Sequence, residues 1–171
     1  MLDSSDKVKG NTVGSRSNID LAYIAGFLDG DGSLMLQLKR RLDTSRGWRF
    51  SCTMCFYQDT RHEEPLIWIR DTLEAGFISR RNDGMTELRI NGYSKISFVL
   101  SELIPFIKFK RIQAQALLDS ALLLSNTRAN TLTDHQIIYL IDNLILIQDN
   151  NYVTEKKRSK DELLKMLELT P

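Results

Sequence analysis

Ala22, Gly26 and Gly30 recur every four residues just before Asp31, and from residue 33 onwards the apolar spacing changes from helical to alternating. In a helix these three small residues share one face, which lacks bulk and lets a second backbone approach closely. Such a face is shaped for another helix. Gly30 and Gly32 bracket Asp31, and glycine's tolerance of the left-handed conformation predicts that the helix stops there. Asp31 is then presented at the foot of a tightly packed helix pair. Ser17 with Asp20 forms the Ser-x-x-Asp pattern of a capping box at the opposite end.

The alternation that follows predicts a strand over 33–41, with Leu34, Leu36 and Leu38 on a core face and Ser33, Met35, Gln37, Lys39 and Arg41 opposite. After a turn at 42–47, Trp48–Tyr57 repeats the pattern, with Phe50, Cys52, Met54 and Phe56 inside and Arg49, Ser51, Thr53, Cys55 and Tyr57 outside. Pro65 suits the first turn of a second helix that stops at Gly76. A second hairpin, 77–82 and 85–91, turns at Asp83-Gly84 and points Arg80, Asn82, Glu87 and Arg89 outwards. Helices over 93–103, 112–126, 134–149 and 160–169 complete the chain, the last capped by Ser159 with Glu162. The expected fold is α+β, in the order αββαββα with extra C-terminal helices, and its four-stranded antiparallel sheet carries helices on one face.

A chain of 171 residues with 42% hydrophobic content supports one domain with a real core, taken as residues 18–171 after a disordered tail over 1–17. No apolar run of about twenty residues occurs, and Asp3 and Asp6 with several Gly and Ser replace the apolar stretch of a signal peptide. No membrane partner is expected. Cys52 and Cys55 point to opposite faces of a strand with no second pair, which argues for reduced thiols and against structural zinc. The net charge is +1, but residues 33–60 hold five Lys/Arg against two acids and residues 77–111 hold seven against three. Positive charge thus gathers where the sheet is placed, as a phosphate-facing surface requires. The open sheet face carries Gln, Lys, Arg, Ser, Thr and Asn, which read base edges and phosphates. A solvated sheet face is the plainer reading of the same alternation.

The decapeptide Ile24–Ser33 resembles the signature of the LAGLIDADG homing endonucleases: Ala25, Gly26, Asp29, Asp31 and Gly32 match it outright, while Ile24, Phe27, Leu28 and Gly30 are conservative variants. With one motif and no internal repeat, the chain resembles the single-motif members. The resemblance implies a homodimer packed through Ala22, Gly26, Asp29 and Gly30, and a long, nearly palindromic double-stranded DNA target. It implies Asp31 and the Gly30 carbonyl as metal ligands, with magnesium as the expected ion and manganese or another divalent cation as substitutes. Gln58 and Lys110 match further active-site positions, and Arg61 or His62 falls where the family often has another basic residue. Ser33, Gln37, Lys39, Arg41, Arg49, Ser51, Thr53, Tyr57, Arg80, Asn82, Glu87, Arg89, Lys108 and Lys157 become DNA-contact candidates. Cleavage across the minor groove with 3′ overhangs, and spread of an encoding intron, follow from the same resemblance. An organellar location, or the cytoplasm of a prokaryote, goes with it.

A calcium loop starting at Asp29 is excluded, since its sixth and twelfth positions are Leu34 and Arg40 rather than Gly and Glu. His62 and His135 lack ligand-spaced partners. Two other functions use the same basic sheet: an intron-RNA maturase that cuts nothing, and a DNA-binding regulator indifferent to magnesium. Retention of Asp31, Gln58 and Lys110 argues against the maturase, which needs no metal ligands.

Overall fold

Leu21, Ile24, Ala25 and Leu28 fall at helical spacings of three and four, and they form the buried stripe of α1 (Asn18–Asp31). The computed structural model describes residues 16–44, 47–151 and 157–169; most of the expected tail, and Lys156 of the basic cluster, lie outside them. Ser17 caps α1 by accepting the Ile19 N–H at 3.2 Å, without the reciprocal bond of a full capping box. The other end falls where expected but in a different conformation. α1 runs through Gly30 to Asp31, and Gly32 is extended at φ −107°, not left-handed. Glycine is needed at 32 for space: a Cβ there would lie 2.5 to 2.8 Å from Leu28 Cδ1, its carbonyl oxygen and its Cα.

The chain then turns directly into β1 (Gly32–Arg40), which pairs antiparallel with β2 (Trp48–Asp59). Register opposes Leu34 to Met54, Leu36 to Cys52 and Leu38 to Phe50, so the even-numbered apolar residues face one core, as the alternation requires. α2 (Glu64–Leu73) leads to β3 (Phe77–Arg80) and β4 (Met85–Asn91), giving the sheet order β1-β2-β4-β3. α2 ends earlier than expected because Glu74 itself takes the left-handed turn at φ 50°. Gly76, at φ 93°, instead brings the chain against Leu88, Arg89 and Ile90 with no room for a side chain. β3 is also two residues shorter than expected, which leaves Asn82 in the turn rather than on the sheet.

α3 (Tyr93–Leu103), α4 (Arg111–Asn126), α5 (Asp134–Asn150) and α6 (Lys160–Met166) follow. Ser159 and Glu162 make the expected box on α6, which ends three residues short of the expected boundary. α3, α4 and α5 pack against one another in sequence, with α4 and α5 lying on β1, and α5 is tied to it by Asn151 Nδ2 donating to the Leu34 carbonyl at 3.2 Å. Among the described residues no helix is long and apolar enough to cross a membrane.

Glu63, just before α2, joins three elements by accepting from Arg80 of β3 and from the buried Thr86 hydroxyl of β4. The Arg80 guanidinium, then the Thr86 hydroxyl, hold its carboxyl down at about 2 from a usual 4.5. A depressed carboxyl contributes stability above its unfolded value and loses it as pH falls through the folded one. The melting temperature of Glu63→Gln is therefore expected to vary less than wild type between about pH 4.5 and 2, measured by thermal melts across that window. Gly32→Ala is expected to destabilise the fold by about 1–3 kcal/mol in chemical denaturation, because Leu28 backbone atoms cannot yield.

Candidate active site and nucleic-acid interface

The last turn of α1 leaves backbone carbonyls without intrahelical partners, and this end carries partial negative charge. Lys110, 7% exposed, fills it: its Nζ donates to the carbonyls of Leu28 at 2.9 Å and Asp29 at 2.6 Å, with Gly30 at 3.4 Å. Burial pushes the ammonium below its usual range, while Asp29 and Asp31 pull it back up. Its ammonium thus caps the helix end from outside. Asp29 answers from the opposite direction, its carboxylate accepting the backbone N–H groups of Lys108, Phe109 and Lys110 at 2.7, 3.2 and 2.9 Å. Grouped with the contact face in the sequence, Asp29 in fact directs its side chain into its own chain.

Asp31 is exposed, and no described residue hydrogen-bonds to it. Its carboxylate and the Gly30 carbonyl are hard oxygen donors of the kind magnesium or calcium takes. They fit such an ion but do not complete its shell: among the described residues no group of three or more His, Cys, Asp or Glu is placed to hold a metal. Gln58, half-buried at the end of β2, spends its Oε1 on the Asp59 N–H at 2.9 Å, and its amide hydrogens meet no acceptor among the described residues. Arg61 is engaged by Asp59, whose carboxyl it holds well below the usual carboxylate range, and His62 is exposed beside it.

Ala22, Gly26 and Gly30 are all exposed on α1, and a Cβ built at either glycine meets nothing within 4 Å. Ile19 and Tyr23 are exposed on the same helix, with the Tyr23 ring edge-on to Trp68 of α2. The protomer leaves this stripe uncovered.

The outer sheet face is partly self-occupied. Gln37 and Lys39 are exposed on β1, half-buried Ser51 faces Gln37 across the ladder, and Arg41 is exposed just past the strand. Thr53 and Cys55, expected outside, lie on that face yet are 0% exposed; Thr53 donates to Asn91 Oδ1 at 2.9 Å. Ser33 and Tyr57 bond each other at 3.1 Å. Arg49 bends off the sheet to the Tyr93 ring, Arg80 is held by Glu63, and Arg89 is held by Glu87 through Nε at 2.9 Å. The Lys108 side chain is exposed, and Lys157 lies 3.5 Å from Asp149. A groove of about 890 Å³ connects the two regions, running from Gly30 and Lys110 along β1 past Gln37 and Lys39, with Gln148, Asn151 and Arg158 on its other wall. Glu63, Tyr93 and Asn91, which decide which side chains remain free, carry no sequence signal, because their partners are brought to them only by strand pairing.

The chain is a DNA endonuclease in which an exposed carboxylate, Asp31, stands at a helix end beside a four-stranded antiparallel sheet. The chain belongs to the LAGLIDADG endonuclease family, whose model matches residues 24–119. It is similar to the DNA endonuclease I-CvuI of Chlorella vulgaris, 29% identical over 149 residues that cover 87% of this chain and 92% of that protein. It is also similar to the DNA endonuclease I-CreI of Chlamydomonas reinhardtii, 30% identical over 57% of this chain and 60% of that one. The crystal structure of I-CvuI with the I-CreI target, obtained in the presence of magnesium with the DNA uncleaved, superposes at a TM-score of 0.74 with 24% identity, covering 88% and 93% of the two chains. The archaeal intron-encoded homing endonuclease I-Vdi141I, complexed with DNA, has the same fold at a TM-score of 0.76 and 18% identity over 88% of this chain and 96% of that one.

Lys39→Ala is expected to reduce the slope of log affinity against log salt by about 0.9, one phosphate's worth. Arg80→Ala, whose charge Glu63 already offsets, is expected to reduce it by less than half as much. Equal slopes in filter binding over a salt series would show that Arg80 leaves Glu63 for DNA.

Proposed function

We propose that two copies of this chain pack through α1 and cut both strands of a long, nearly palindromic DNA site. The observation that carries this reading is the small-residue stripe of α1, which the described residues leave uncovered and which ends at Asp31, exposed and with a carboxylate that no described residue hydrogen-bonds. A two-fold axis along that stripe sets two Asp31 carboxylates side by side, and adjacent carboxylates repel unless a cation lies between them. Magnesium is the cation this donor set fits best, with manganese as a substitute. When bound, such an ion supplies charge neutralisation at the scissile phosphate and activation of the attacking water.

The chain's own residues do the rest. Asp31 and the Gly30 carbonyl hold the ion, Lys110 keeps that carbonyl end in place, and the Gln58 amide hydrogens orient a water or phosphate oxygen. Gln37, Lys39, Ser51 and Arg89 meet base edges and phosphates. The nine residues of β1 extend about 30 Å, so one copy covers about a half-site of nine base pairs. Cleavage leaves 3′ overhangs and serves the spread of an encoding intron.

Site selection from a randomised, two-fold-symmetric DNA library with magnesium tests this directly. Wild type is expected to recover one long near-palindrome, and Asp31→Asn to bind it without cutting. Cleavage by Asp31→Asn at a near wild-type rate would overturn the site. Gly26→Leu, which the lone protomer has room for, is expected to sediment as a folded monomer that no longer makes double-strand breaks. A dimeric Gly26→Leu would overturn the assembly.

A further inference from the structure

Three consecutive backbone amides, at Lys108, Phe109 and Lys110, converge on the carboxylate of Asp29, a residue some eighty positions earlier in the chain. They belong to the segment that enters α4, and their donors use both carboxylate oxygens. From the same segment the Lys110 ammonium returns to the carbonyls of Leu28, Asp29 and Gly30. One charged side chain therefore crosses in each direction, each ending on backbone of the other segment. A carboxylate that accepts two or three backbone N–H groups is held firmly, because charge-assisted bonds are about twice as strong as neutral ones. A buried ammonium likewise needs every donor occupied and an anion close by, and Asp29 is the anion acting on it most strongly.

We infer that Asp29 is a positioning residue: by fixing 108–110 it sets Lys110 against the end of α1, and so fixes the directions of the Gly30 carbonyl and the Asp31 carboxylate. This rests on the reading of Gly30 and Asp31 as the pair that holds a divalent cation. Asp29 touches neither the cation nor DNA. Its effect is that of an outer partner that orients a ligating oxygen, whose loss reduces metal affinity or activity by about 10–100-fold.

The test uses the full chain bound to its selected DNA, with calcium titrated by calorimetry and magnesium-dependent single-turnover cleavage measured in parallel. Asp29→Ala is expected to weaken calcium affinity and slow cleavage by about 10–100-fold, with DNA affinity in EDTA unchanged. Asp29→Asn, whose amide oxygen still accepts backbone N–H groups, is expected to fall between Asp29→Ala and wild type. Wild-type calcium affinity in Asp29→Ala overturns the inference, as does a parallel loss of DNA affinity in EDTA, which marks a purely structural role. Where Asp29→Ala does not fold, Asp29→Asn decides by the same two readouts. Asp31→Asn serves as the control: unaltered calcium binding there overturns the ligand reading itself, whatever Asp29 does.

Discussion

The reciprocal bond between the end of α1 and the start of α4 is the contact on which the rest of the site depends. A helix that ended freely would fray over its last turn, where four carbonyls lack partners, and Gly30 would loosen it further because glycine forfeits the most entropy on ordering. Here that turn is closed from outside by Lys110 and anchored in return by Asp29. α4 lies against α3, α5 and β1, so the anchor refers the helix end to the body of the protein rather than to solvent.

The second constraint is the absence of a loop between α1 and β1. Gly32 donates the helix's last backbone hydrogen bond, to the Leu28 carbonyl, and is also the first residue of the strand, and Leu28 fills the space a side chain would need. The Asp31 carboxylate and β1 are thereby joined at one corner with no intervening loop. The groove from Gly30 and Lys110 past Gln37 and Lys39 follows from that corner, since the strand that leaves the helix end forms one of its walls.

The first helix, both hairpins and the core face of the first were legible because two periods, one helical and one alternating, change over within a few residues, and because Asp83-Gly84 marks a turn. The place of Asp31, exposed at the end of the first helix directly after the small-residue stripe, was legible. The ends of elements were less so: Glu74 takes a left-handed turn that glycine was expected to supply, and β3 stops before Asn82. Side-chain direction was the main loss. Alternation assigns Thr53 and Cys55 to the outer face correctly, but it cannot see that neighbouring side chains on that face cover them. Nor can it see that Asp29 and Lys110 meet, since nothing in either segment announces the other.

Three arginines on or beside the sheet are each matched by an acid of the same chain: Arg61 by Asp59, Arg80 by Glu63 and Arg89 by Glu87. The sheet accordingly holds more cation than it displays. Loss of a single acid releases a guanidinium already in place, so one substitution can alter both the grip on the phosphates and the bases preferred, with no new basic residue introduced. For a DNA endonuclease, this latent charge is a short route to a changed target.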